Sequence, residues 1–190
     1  MATLIIGLAV FLGIHSVSIV SPALRARAVA TMGANGWRGL YSLISAAGFV
    51  LIIYGYGLAR QDPVVLYAPP DWTRHLTFLL MLPVFPLLIA TYLPGRISTA
   101  TKHPMLAAVK FWAVAHLLSV GLLADVLLFG AFLVWAVFDR LSFRHRPPQV
   151  IKRAPAGRFN DAIAVVVGLA LYAFFVAWAH LQFFGVSPAV

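Results

Sequence analysis

The 190-residue chain contains no cysteine and no glutamate. Without cysteine it can form no disulfide, thiolate metal site or iron–sulfur cluster, and it cannot attach haem covalently through a Cys-x-x-Cys-His motif. Its five acidic residues are all aspartates, placed at or beyond the ends of apolar runs. Carboxylate-bridged metal centres and intramembrane carboxylate proton relays are therefore poorly supported. Charge of either sign is scarce: Asp, Glu, Lys and Arg make up 10% of the residues, against about a quarter in soluble domains. An ordinary soluble fold is excluded.

The chain is instead 62% apolar. The apolar residues collect into runs at Met1–Val20, Leu40–Ala59, Leu76–Leu93, Pro104–Leu123, Val126–Phe138 and Ala162–Gly185, most of them close to the length at which a helix crosses a bilayer. These runs predict an all-α fold, a polytopic membrane bundle of about six transmembrane helices forming one domain over residues 1–190. The first run has no basic segment before it and is followed by Arg25 and Arg27. That order is the reverse of a cleaved secretory signal, so the run is expected to remain as a span.

Lysine and arginine divide unevenly between alternate loops. One set holds Arg25, Arg27 and Arg38, then Arg96 and Lys102, then Arg140, Arg144, Arg146, Lys152, Arg153 and Arg158. In the other set Arg60 and Arg74 are offset by Asp62 and Asp71, and the next loop has only Asp125. The positive-inside rule predicts that the basic loops face the cytoplasm and both termini the periplasm of a multi-pass protein. This asymmetry accounts for the net charge of +9 without nucleic acid, and makes the lipid bilayer, with its anionic headgroups, the expected partner.

Two of the six histidines, His15 and His116, lie well inside apolar runs. Ionisable side chains in the membrane are costly and normally have a partner: another side chain, a backbone carbonyl or a metal. At this level ligation and a hydrogen bond between helices stand as alternatives. His103 differs, because Pro104 follows it and proline suits the first turn of a helix. The thirteen residues from His103 to His116 correspond to about 20 Å of rise and roughly 140° of rotation, so the two cannot share a metal on one continuous helix. Lys110 reads as a snorkelling side chain whose ammonium marks the cytoplasmic interface. His116 then lies about 9 Å deeper, and His15 about as far from Ser21, which puts the two imidazoles at a similar depth. His75, His145 and His180 read as interfacial or polar-contact residues.

Three motifs occur in order: Phe11-Leu-Gly-Ile-His-Ser16, Gly36-Trp-Arg-Gly-Leu-Tyr-Ser-Leu43, and Lys102-His-Pro followed by Trp112-Ala-Val-Ala-His-Leu117. The set resembles the NnrU family over nearly the whole chain. That membrane family is named for a link to nitrite and nitric oxide metabolism and is related to 15-cis-zeta-carotene isomerase, a haem b membrane enzyme. The resemblance implies haem b with His15 and His116 as the iron ligands, and propionates near Arg25, Arg38 or Arg96. It also implies a place in the bacterial inner membrane, with electron-transfer or denitrification partners and a redox or isomerisation step.

His103 and Lys110 remain further candidates at the cytoplasmic mouth. Two other readings fit parts of the same pattern. A cofactor-free assembly or regulatory factor needs the histidines only as helix-joining groups. A membrane methyltransferase would carry an arginine where Lys102 stands, together with acidic residues that this chain lacks.

Overall fold

The computed structural model describes residues 1–146 and 151–188; Pro147 and Pro148 of the basic loop lie outside the described residues. Helix dominates, and the only extended pairing among the described residues is an isolated bridge between Val65 and Leu122. Four helical stretches are long and apolar enough to cross a membrane: Ala2–Val20, Pro22–Ala59, Thr73–Ala90 and Asn160–Phe184. The other two apolar runs are helical as well. One is only 16 residues long, and the other spans 20 residues that include Asp125, Asp139 and Arg140. Large apolar side chains such as Leu43, Ile53, Phe138 and Val166 point outward, more than half exposed, as expected of a surface that meets lipid.

The helices form two compact units. The first consists of α1 (Ala2–Val20), α2 (Pro22–Ala59) and α7 (Leu123–Ser142). Pro22 forces its predecessor out of helical geometry, so α1 stops at Val20 and Ser21 is extended, with φ −143° and ψ 78°. Ser21 then caps the next helix, its hydroxyl accepting a hydrogen bond from Leu24 N at 3.3 Å, while Pro22 occupies a first-turn position where its missing N–H costs nothing. The segment carrying Arg25, Arg27 and Arg38, expected as a loop, is therefore helical. Within α2 the rod breaks at Gly33, whose φ of 75° and ψ of 165° only glycine adopts readily.

Glycine also sets the distance between α1 and α2. A Cβ on Gly48 would fall 2.7 Å from Phe11 N, and one on Gly55 would strike the backbone of Leu4. Small residues seven apart on one helix face let the backbones meet, a packing mode suited to a solvent in which apolar side chains gain little by leaving lipid. Leu4, Leu8, Ile52, Ala59 and Ala124 form the core beside this contact. At one end the chain crosses itself: Leu66 N and Tyr67 N donate to Gly121 O, and Leu123 N donates to Val64 O at 2.8 Å. In this loop burial and the nearby Asp125 carboxylate push the Tyr67 phenol above its ordinary pKa.

The second unit holds α3 (Thr73–Met81), α4 (Val84–Ala90), α5 (Arg96–Thr101), α6 (Pro104–Ser119), α8 (Asn160–Phe174), a π-helical turn (Phe175–Ala179) and α9 (His180–Phe184). Pro83 separates α3 from α4 within one apolar stretch, because it cannot donate the helical hydrogen bond. α4 packs on both α6 and α8. Val84, Leu87 and Ala108 are buried at the first of these contacts, and at the second Gly168 lies so close to Pro86 that a Cβ would not fit.

Candidate cofactor site

His15 sits on α1, five residues before its end, and is half-buried. Its Nδ1 lies 2.7 Å from Phe11 O, one helical turn back. A carbonyl can only accept, so Nδ1 carries the proton and Nε2 keeps the lone pair. The ring is held among aromatics. Phe11 stacks on it at 4.2 Å and 28°, Tyr41 of α2 lies at 5.2 Å, and Trp135 of α7 meets it edge-on at 6.0 Å. Phe11 in turn contacts Phe49 and Phe132. The indole Nε1 of Trp135 is buried without a hydrogen-bond partner among the described residues, which is costly unless something accepts from it.

His116 repeats the local arrangement in the second unit. On α6 its Nδ1 lies 2.8 Å from Trp112 O, again four residues back, and the Trp112 ring is 5.5 Å away. The same tautomer argument leaves Nε2 as the basic nitrogen. The next turn is anchored by Thr77, whose hydroxyl donates to Ala115 O at 2.9 Å and so ties α3 to α6. His15 and His116 thus share three features: an aromatic residue at i−4, a backbone carbonyl on Nδ1, and a position inside an apolar helix. Metal-binding histidines usually have the first nitrogen oriented in this way by a carbonyl or carboxylate.

The remaining sequence candidates are dispersed. Arg25 and Arg38 are exposed on the first part of α2, where an Arg38 nitrogen lies 3.4 Å from Asn35 Oδ1, and Arg96 is exposed at the start of α5. Lys110 lies six residues into α6 and is half-buried. His103 precedes α6 as expected, its carbonyl accepting from Ala107 N at 3.1 Å. The residue before it carries a feature that the sequence did not reveal. Lys102 has φ 60° and ψ −41°, and His103 N donates to Thr101 O at 2.7 Å. Together these make a γ-turn with positive φ, which is strained for a side-chain-bearing residue. His180 Nδ1 lies 2.7 Å from Val186 O beyond the end of α9, in keeping with a polar contact.

Two arrangements escaped sequence reasoning. Asp125, 2% exposed, accepts from Tyr56 OH at 2.5 Å and from Leu122 N at 3.3 Å. Asp161, in the first turn of α8, accepts from Arg96 N at 2.8 Å and Ile97 N at 3.0 Å and so caps α5. The only earlier signal was that both aspartates stand at the edge of an apolar run.

Among the described residues no three His, Cys, Asp or Glu side chains converge to cage a metal ion. A metal already chelated by a macrocycle needs only one or two further nitrogens, and each histidine offers one of suitable tautomer. Comparison with curated proteins and with solved structures finds no match to the chain. The family described as NnrU protein matches residues 3–188. A match of that extent, over an all-helical chain with several membrane-length helices, makes the protein a member of the NnrU family.

Proposed function

We propose that this NnrU protein binds haem b, with His15 and His116 as its axial ligands, in the bacterial inner membrane. The observation that carries the reading is the shared orientation of the two imidazoles, each fixed through Nδ1 to the carbonyl four residues back with Nε2 as the basic nitrogen. The local chemistry around His15 suits a planar apolar macrocycle: Phe11, Tyr41 and Trp135 present aromatic surface, and the buried Trp135 N–H has no acceptor among the described residues, which a cofactor's carboxylate can supply. Arg25 and Arg38, on the basic segment, are suited to pair with propionates.

Bound haem would supply a one-electron couple or, with one histidine displaced, an open coordination position. The chain's own residues orient the ligands, exclude water from the ring and set the charge at its edge. The family's link to nitrite and nitric oxide metabolism suggests a role in denitrification or a related redox or isomerisation step. The charge asymmetry of the loops supports six spans with both termini periplasmic. The test is a reduced-minus-oxidised absorption spectrum of protein purified after expression with ample haem supply. A Soret band that shifts on reduction, at about one haem per chain, is expected. A colourless, folded protein that takes up no added haem would overturn the reading.

A further inference from the structure

Three helices of the second unit reach the same end of it. α4 stops at Ala90, while α6 and α8 begin at Pro104 and Asn160. The chain leaving α4 and the stretch leading into α8 run side by side here, pinned by Ala154 N to Tyr92 O at 2.9 Å and by Asn160 Nδ2 to Pro94 O at 2.8 Å and Pro155 O at 3.1 Å. Between them lies a wide, shallow cleft of about 780 Å³, open to the surface, lined by Gly95, Thr99, Ala100 and Gly157 and, as its only charged residues among those described, by Arg96 and Arg158.

The acid nearest this cleft is already committed. Both oxygens of Asp161 accept backbone N–H groups of α5, and neither arginine forms an ion pair among the described residues. Arg158 instead lies over the Phe159 ring at 4.4 Å, which keeps its guanidinium at an apolar rim. Loop charge of the positive-inside kind needs no concavity and no small-residue walls. A cleft with two guanidinium groups and no available carboxylate suits a phosphodiester, which arginine binds through paired N–H donors. Its position at the ends of apolar helices, beside the exposed side chains of Tyr92, Phe159 and Ile163, provides a surface for acyl chains that a free phosphate ion would not use.

We infer that this cleft is a binding site for the headgroup of an anionic phospholipid. It is independent of haem. Native mass spectrometry of the detergent-purified protein, followed by titration of phosphatidylglycerol in phosphatidylcholine nanodiscs, tests it. The wild-type protein should retain one phosphatidylglycerol through delipidation. Arg96→Gln and Arg158→Gln should each weaken retention by about tenfold, the double variant should lose it, and Arg96→Lys with Arg158→Lys should partly restore it. Lys152→Gln with Arg153→Gln, which alters the same basic loop outside the cleft, should retain the lipid.

Circular dichroism and elution volume establish that each variant is folded. Equal losses in the Lys152/Arg153 variant would mean diffuse loop charge and overturn the site. Displacement of the lipid by millimolar inorganic phosphate would mean a free-anion site and overturn the lipid assignment.

Discussion

The Tyr56 hydroxyl of α2 donates to the Asp125 carboxylate of α7 at 2.5 Å, and Asp125 is almost wholly enclosed. The guanidinium of Arg60 lies 5.8 Å from the Tyr56 ring centre. A carboxylate held in this way ties α7 to the α1–α2 pair at the end where the chain crosses itself. Removing one partner leaves the other buried and unsatisfied, whereas removing both leaves neither. Tyr56→Phe and Asp125→Ala are each expected to lower stability by about 1–3 kcal/mol, and the double variant by clearly less than the sum. Thermal unfolding in detergent measures all three. Additive losses would show that the pair is not coupled.

The glycine contacts between α1 and α2 predict a position-dependent series. Gly48→Val and Gly55→Val must push the helices apart and should cut the yield of folded protein severely. Gly57→Ala, on the same helix where a Cβ meets nothing within 4 Å, should be neutral or stabilising by up to about 1 kcal/mol. Size-exclusion profiles after mild heating distinguish the two classes. A tolerated Gly55→Val would contradict the close approach.

Lys102 holds an unfavourable backbone conformation, so Lys102→Gly should raise the melting temperature or leave it unchanged. Lys102→Val should lower it, since a β-branched side chain aggravates the same clash. If Lys102→Gly melts earlier than wild type, the side chain contributes more than the strain costs.

For the histidines the measured quantity is haem per folded chain. On the proposed ligation His15→Ala and His116→Ala should each abolish or strongly alter the Soret band, since each would remove a ligand. His103→Ala and Lys110→Arg should retain it, the former because His103 stands before the first residue of α6. Haem loss confined to His103→Ala would reassign the ligands.

Membrane orientation is open to direct measurement. Reporter fusions at the carboxyl terminus and within the loop at Arg153 should report opposite sides, periplasmic and cytoplasmic. Identical signals would reduce or increase the number of spans by one.

Hydropathy makes the apolar helices legible, and His103-Pro104 marks the entry to α6, because proline acts within one turn of its own position. The entry to α2 at Ser21-Pro22 carries the same kind of local signal but is visible only in the structure. The depth comparison of His15 and His116 rests on helix rise and on Lys110 as the marker of the interface. Along the observed helices the two lie about 8 Å from the end of α1 and about 18 Å from the start of α6, so equal depth requires α6 to enter the hydrocarbon near Lys110. The basic segment after Ser21 reads as a loop from its charge, although its alanine, leucine and arginine are good helix formers. Asp125 with Tyr56, and Asp161 with Arg96 and Ile97, join residues more than sixty positions apart. Pairings of that range depend on which helices become neighbours, and no local pattern carries that.

The membership of the two units has a consequence for biosynthesis. α1 and α2 leave the ribosome before their partner α7, which follows only after α3 to α6 have been made, and those helices wait in turn for α8. Neither half can close before the other has begun. A nascent chain halted after Ser119 would hold two incomplete bundles at once, with α7-facing and α8-facing surfaces both open to lipid. Quality-control proteases should therefore degrade truncated chains as a whole and leave no stable amino-terminal fragment.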